Sequence, residues 1–292
     1  MIAKNLRFFI LTFLCIVMSE RIFPQPEAGQ KSPDPKAIPL FSRLHTLSIH
    51  VQDTITQDSV FRFLADKLKL PVYYNPVRYG NRKYAGVYAG NLVLEPCGPY
   101  SNFSYASNDF RAIFFGLTFE PFKSIALSAD GLTDRKVNYE SGDSYIYIKD
   151  PVICGDNITI SFMDKGTGKA EDKRITDSLL TEMSKDALDE PGIEYVKEIW
   201  IGYKDNYNLT KWKELISPDK LKNNKIWNKN DPPEFHFSKS GIKEVQSITF
   251  KVKSLERARQ YLLRNNLYGD FINNRLILNK TKTFGLQICL YE

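Results

Sequence analysis

Hydrophobic and polar residues alternate from Leu44 onward, with Leu47, Ile49 and Val51 on one side of an extended chain and Thr46, Ser48 and His50 on the other. This period of two predicts a half-buried strand whose two faces are used differently. Asp58-Ser59 then offers capping side chains, and Phe61, Leu64 and Leu68 recur at three and four residues. That spacing predicts an amphipathic helix up to Leu70-Pro71. Three short strands follow in the pattern, over 72–74, 82–88 and 91–95, set apart by Pro76 and by glycines.

The order of strand, helix and three strands recurs. A second copy has a strand over 113–119, a weaker helix over 122–132 broken at Gly131, and strands over 144–149 and 157–163. Residues 164–192 are charged and poor in aromatics, which marks an interdomain linker with a helix over 176–188. A third copy is shorter: a strand over 196–203, a helix over 210–216 carrying Trp212, Leu215 and Ile216, a polar stretch 217–233 and a strand over 234–237. The fourth is clearer, with a strand over 246–252, a helix capped by Ser254 that carries Leu255, Ala258, Tyr261 and Leu262, and strands over 271–278 and 284–290. Repetition at roughly 50–70 residues organises the chain into βαβββ modules of the α+β class.

Composition sets the outer limits. With 42% hydrophobic, 25% charged and 13% aromatic residues, the 292-residue chain is of the ordered globular type, and disordered or collagen-like classes drop out. At roughly 150 residues per domain, this length suggests two domains. Residues 1–25 read as a signal peptide, because Lys4 and Arg7 precede an apolar run from Phe8 to Met18 that is too short to span a bilayer. Glu20-Arg21 leaves a retained anchor as the alternative. Residues 26–41, rich in proline and polar side chains, form a flexible lead-in. The expectation is a secreted or periplasmic protein with no membrane contact beyond export. Net charge is +6 without a dense basic patch, which argues against a nucleic-acid partner. Beyond the leader, Cys97, Cys154 and Cys289 lack zinc-ligand spacing and read as buried thiols. No GxGxxG, phosphate loop, G-x-S-x-G elbow or HExxH is present.

Four segments carry a resemblance: LHTLSIHVQD (44–53), YAGVYAGNLVLEP (84–96), YIYIKDPVICGDNITIS (145–161) and IKEVQSITFKVKSLERARQYLLRNN (242–266). They resemble the vicinal oxygen chelate superfamily of glyoxalase I, bleomycin-resistance proteins and extradiol dioxygenases. The resemblance implies that paired modules form an open cup, with 42–163 one glyoxalase-like domain and 193–292 a second, degenerate one. It also implies a divalent metal in the cup (zinc, nickel, iron or manganese), held by residues from the first and last strand of each module.

Carried onto this sequence residue by residue, the resemblance singles out Glu95 in LVLEP as a metal ligand, with an exposed strand-end carboxylate as the plain reading. His45 matches the family's histidine by its letters, but only a bulge would keep it on the cup face. Alternation instead puts Thr46 there, with His50 on the same face roughly 13 Å further along. His45 and His50 are therefore alternatives as a metal ligand, and His50 also resembles a substrate contact. In the second module Thr118 and Ser161 fall where a histidine and a carboxylate are expected, and Glu120 shares their face as a candidate base. Tyr84, Tyr88 and Arg82 lie in a tyrosine-rich stretch suited to an anionic or aromatic small molecule, or equally to plain sheet packing. In the second domain Glu198, Glu234 and His236 could form a separate site, but read more simply as polar outer faces of half-buried strands. The reading is then an exported protein that binds a small molecule in the cup of its first domain, or alternatively a metal-dependent glyoxalase- or dioxygenase-like enzyme acting on adjacent oxygens. A scaffold of repeated modules in the envelope is the third reading.

Overall fold

The computed structural model describes residues 40–100, 111–155, 157–164, 170–185, 189–216, 221–222, 225–226 and 233–292. The leader assigned to 1–25 lies outside them, as does nearly all of the lead-in. Among the described residues no helix is long and apolar enough to cross a membrane.

The first module comprises β1 (Phe41–Val51), α1 (Thr54–Arg62) with a further π-helical turn over Phe63–Lys67, β2 (Val72–Tyr79), β3 (Arg82–Tyr88) and β4 (Val93–Gly98). The helix starts earlier than the pattern suggests. Asp53, extended directly after β1, accepts from the Thr56 amide at 2.6 Å and is the cap. Ser59 lies inside the helix and donates to the Ile55 carbonyl at 2.9 Å. The second module holds β5 (Ala112–Pro121), α2 (Ile125–Asp134), β6 (Tyr139–Ser141), β7 (Tyr145–Ile148) and β8 (Thr159–Met163). Gly131 does not break α2. It lies buried in the helix because Leu40 crosses so closely that an added Cβ would stand 2.6 Å from Leu40 Cδ2.

After α3 (Ala170–Ser184), the third module runs through β9 (Ile193–Tyr203), α4 (Asn206–Ile216), the two-residue strands β10 (Leu221–Lys222) and β11 (Lys225–Ile226), and β12 (Glu234–Lys239). The fourth holds β13 (Glu244–Val252), α5 (Leu255–Arg264), β14 (Tyr268–Ile272), β15 (Arg275–Leu278) and β16 (Ile288–Tyr291). The single strand expected over 271–278 is a hairpin. Asn273 and Asn274, with φ of 51° and 58°, turn the chain where asparagine tolerates the left-handed region.

Each pair of modules builds one eight-stranded sheet, in the order β2-β3-β4-β1-β5-β8-β7-β6 and, equivalently, β10-β11-β12-β9-β13-β16-β15-β14. At the centre of each, the first strands of the two modules run antiparallel, and each is flanked by the parallel last strand of its own module. This is the expected α+β arrangement of paired βαβββ modules. Among the described residues, β10 and β11 of the third module are two residues long each.

One hydrophobic core is shared by both sheets and their helices, and it includes Leu47, Ile49, Val60, Leu64, Phe119, Ile199, Trp212, Phe250 and Tyr261. Phe119 of β5 and Phe235 of β12 meet with ring centroids 6.0 Å apart. Tyr261 of α5 donates to the carbonyl of Lys67 at 2.6 Å, and Arg135 at the end of α2 donates to the carbonyl of Glu214 in α4 at 3.0 Å. Strand residues that alternate with these core positions necessarily lie on the opposite face of each sheet. The candidate chemistry sits there.

Candidate functional site

On the first sheet, register places Thr46 beside Val93 and Thr118, and Thr118 beside Ser161. Three of the positions that the resemblance reserves for ligands, Thr46, Thr118 and Ser161, thus carry hydroxyls, and Thr118 and Ser161 share a hydrogen bond at 3.0 Å. Glu95 stands one step along, in register with Ser48. It accepts from Tyr74 Oη at 2.6 Å and from Ser48 Oγ at 3.3 Å. The β1–β5 pairing shifts between Leu44 and Thr46, the irregularity that the His45 assignment required. His45 Nδ1 lies 2.7 Å from Thr46 Oγ1, and its ring meets the edge of Tyr73. Glu120 is buried and accepts from Arg43 at 2.8 Å. It pairs at the far end of the sheet from His50, seven residues along β5, a separation of roughly 23 Å. His45, His50 and Glu95 do not form a chelating group. Among the described residues only one cluster gathers three such donors, and it lies on the other sheet.

The first sheet does bring three of the expected ligand contacts together. The guanidinium of Arg82 lies 4.3 Å from the ring centre of Tyr100, Tyr100 stacks on His50 at 3.6 Å, and His50 stacks on Phe115 at 4.0 Å. Tyr84 hydrogen-bonds with Arg82 at the edge of the stack. A guest ring needs roughly 7 Å between its walls, twice the contact distance, so both faces of His50 are already covered by the protein's own rings. Burial, aided by the charge of Arg82, lowers the His50 pKa to about 3 and keeps the imidazole neutral. Tyr88 stands apart, packed with Val93 against Leu179 of α3, with Tyr73, Tyr74 and Met183 alongside. The linker helix therefore covers part of this face.

The second sheet differs. Glu198 on β9 is in register with Glu234 on β12 and with Thr249 on β13, and Thr249 with Cys289 on β16. His236 follows Glu234 by two residues and so shares its face. Glu198, Glu234 and His236 each present a donor atom within 4.8 Å of the others. His236 Nε2 lies 3.4 Å from Glu234 Oε2 and 3.8 Å from Glu198 Oε1. The expectation that these are outward polar faces is corrected here, since Glu198 and His236 are each only 6% exposed. The alternation of Glu234-Phe235-His236-Phe237 puts phenylalanines into the shared core, and the polar residues between them face the opposite carboxylate.

Surrounding groups hold these donors in place. Trp200 stacks on His236 with ring centres 4.7 Å apart and planes 19° apart, while its Nε1 donates to Glu198 Oε2 at 3.4 Å. Arg275 from β15 grips the same carboxylate at both oxygens, Nη1 to Oε2 at 2.7 Å and Nη2 to Oε1 at 3.1 Å, and Nη1 also donates to Thr249 Oγ1 at 3.3 Å. Beside the cluster opens a cleft of about 1010 Å³, walled by Trp200, Arg275, Ile277, Gln287 and Cys289 and, from the first half, by Phe114. Burial pushes the Cys289 thiol up, so it stays protonated.

Comparison with known proteins supports the architecture. The chain is similar to an extradiol ring-cleaving dioxygenase from B. fuscum, at a TM-score of 0.53 and 13% identity over 87% of this chain and 72% of that one. It is likewise similar to homoprotocatechuate 2,3-dioxygenase from Brevibacterium fuscum in complex with 3,4-dihydroxyphenylacetate, at 0.52 and 12% over 87% and 81%. At such identity the likeness establishes the fold. Its structural neighbours are extradiol dioxygenases, members of the vicinal oxygen chelate superfamily. No family model matches the sequence, and no curated protein does.

The donors fit a divalent cation. Ligand bonds of about 2.0–2.2 Å at right or tetrahedral angles set donors roughly 2.9–3.5 Å apart. The His236–Glu234 separation of 3.4 Å already lies in that range, and Glu198, 3.8 Å from His236, must move closer. Arg275 already engages both oxygens of Glu198, so a cation at this cluster must contend with the guanidinium for that carboxylate. Two carboxylates and one imidazole reverse the two-histidine, one-carboxylate set usual for non-haem iron oxygenases. Arg275 escaped sequence reasoning because 271–278 read as one uninterrupted strand, which hid the turn that aims it inward.

Proposed function

We propose that the protein is a metal-dependent, dioxygenase-like enzyme whose working site is the cup of the second sheet, with Glu198, Glu234 and His236 as metal ligands. The convergence of these three donors, two of them buried and Glu234 half-buried, beside a cleft, on the fold shared with ring-cleaving dioxygenases, carries the reading. A small molecule with two adjacent oxygens is the substrate class that suits it. A bound divalent cation would supply Lewis-acid polarisation of those oxygens. The chain's own residues do the rest. Trp200 fixes the plane of His236 and donates to Glu198, Arg275 holds the Glu198 carboxylate in the metal-free protein, and Trp200 and Ile277 line the cleft with apolar surface that suits a ring. Iron, manganese and zinc all suit an oxygen-rich set with one imidazole.

Metal analysis after exposure to Fe2+, Mn2+ or Zn2+ tests the reading. One equivalent is expected in the wild type, and at least a tenfold weaker association in His236→Ala and Glu234→Gln, the usual cost at a metal site. The same loss in Glu95→Ala, with both second-sheet variants unaffected, would move the site to the first sheet. Oxygen uptake with catechols then reports whether the loaded protein cleaves rings.

A further inference from the structure

Arg275 stands where it can serve two masters. Its guanidinium closes on both oxygens of Glu198, one of the two carboxylates of the donor cluster, and it is also part of the cleft wall. The pair is asymmetric in freedom. The Glu198 side chain is 8% exposed and fixed on a central strand, whereas that of Arg275 is 26% exposed and hangs from an outer hairpin strand. Two rings flank the guanidinium, Trp200 and Tyr291, each with its centre 6.0 Å away. They offer it alternative cation–π ledges if it leaves the carboxylate.

We propose that Arg275 is a displaceable resident cation, which neutralises Glu198 in the metal-free protein, competes with a divalent metal for that carboxylate and, once displaced, turns its charge into the cleft to receive an anionic ligand. The inference rests on the metal reading above and adds an order of events to it. Two cations cannot both sit at full strength on one buried carboxylate, so metal binding weakens the guanidinium pair and the guanidinium weakens metal binding. The other charged groups on the cleft wall are Lys280 and Glu244. Burial raises the Glu244 pKa, and its hydrogen bond with Gln246 and the charge of Lys280 oppose that. A released guanidinium therefore makes the cleft more positive. Metal and anion should bind with positive coupling that passes through this one side chain.

The test uses Mn2+, followed by the resonance signal of the free ion, and phenylacetate as the anionic probe, with phenylacetamide as its neutral control. Arg275→Gln removes the competitor, and Mn2+ should bind it about tenfold more tightly than the wild type, within the usual range of coupling between sites. In the wild type, saturating Mn2+ should tighten phenylacetate, not phenylacetamide, by about fivefold or more, and phenylacetate should tighten Mn2+ by the same factor. In Arg275→Gln that coupling should vanish. Arg275→Lys keeps a charge without the two-pronged grip and should fall between the two, and it carries the comparison if the glutamine variant does not fold. Equal or weaker Mn2+ binding in the variants, or phenylacetate binding indifferent to Mn2+ in the wild type, overturns the inference while the metal site stands. No Mn2+ binding by any of the chains overturns the metal reading and this inference with it.

Discussion

At the scale of single residues, His50 and Glu198 show how burial redirects a polar side chain. The unfolded imidazole of His50 titrates near its ordinary 6.5 and the folded one near 3, so between those values the unfolded chain takes up a proton that the folded chain refuses. The contribution of this group is whole above pH 6.5 and is lost as pH falls toward 3, at up to about 1.4 kcal/mol per pH unit. His50→Phe keeps the ring stack with Tyr100 and Phe115 and removes the proton. Denaturant melts of the two chains between pH 7 and pH 4 should diverge, with the wild type losing stability faster as pH falls; parallel curves would mean that His50 takes up its proton as readily in the fold as in the unfolded chain. For Glu198 the expected penalty follows from its partner. Arg275→Gln leaves a buried carboxylate without its guanidinium and should cost about 3 kcal/mol in metal-free protein. A thermal melt at neutral pH, with and without Mn2+, checks this, since metal should return part of the loss. These residues were visible in the sequence as alternating polar positions. Which of them converge was not, because convergence depends on the register of β9 with β12 and on a turn at Asn273-Asn274.

Secondary-structure elements were more legible, for a physical reason. Periodicity records which face is buried, and all four modules have a core face that reads at a period of two or of three to four residues. Boundaries were less so: Asp53 caps α1 although Asp58-Ser59 looks equally suitable in print, because only Asp53 stands extended where the helix begins. Gly131 is the instructive exception. A glycine in a helix reads as a breaker on propensity alone, yet here it permits the close passage of Leu40 over α2. Gly131→Ala should therefore destabilise by about 1–3 kcal/mol through overpacking, despite alanine's better helix propensity. A stabilised variant in a urea titration would show that Leu40 moves aside without cost. The helix α3 was foreseen as part of a linker, but its packing of Leu179 and Met183 onto Tyr88, Tyr73 and Tyr74 was not. The linker thereby covers apolar area on the face where a ligand cup was expected.

At the scale of the whole molecule, the two sheets are joined by more than a covalent linker. Asn91, at the turn before β4, donates from Nδ2 to the Val196 carbonyl at 2.9 Å and accepts from the Val196 amide at 3.0 Å, so an amide side chain of the first half pairs like a neighbouring strand with β9 of the second. Gly90 beside it takes φ of 84° and approaches Glu194 so closely that an added Cβ would stand 2.0 Å from its carbonyl oxygen. With a core common to both sheets, this contact predicts one cooperative unfolding transition. The sequence supplies the means to see it: all three tryptophans, Trp200, Trp212 and Trp227, lie in the second half. Fluorescence thus reports on that half alone, whereas far-ultraviolet circular dichroism reports on both. The two signals should trace one urea curve in the wild type. Asn91→Ala removes both hydrogen bonds and leaves a backbone amide and carbonyl of β9 without these partners, which should cost about 2–4 kcal/mol at roughly 1–2 per group. If the halves are coupled through this contact, the variant shifts both signals together or splits them with the weaker half leading. Separate transitions in the wild type would instead show that the shared core contributes little, and that the cluster of Glu198, Glu234 and His236 stands on the stability of its own sheet.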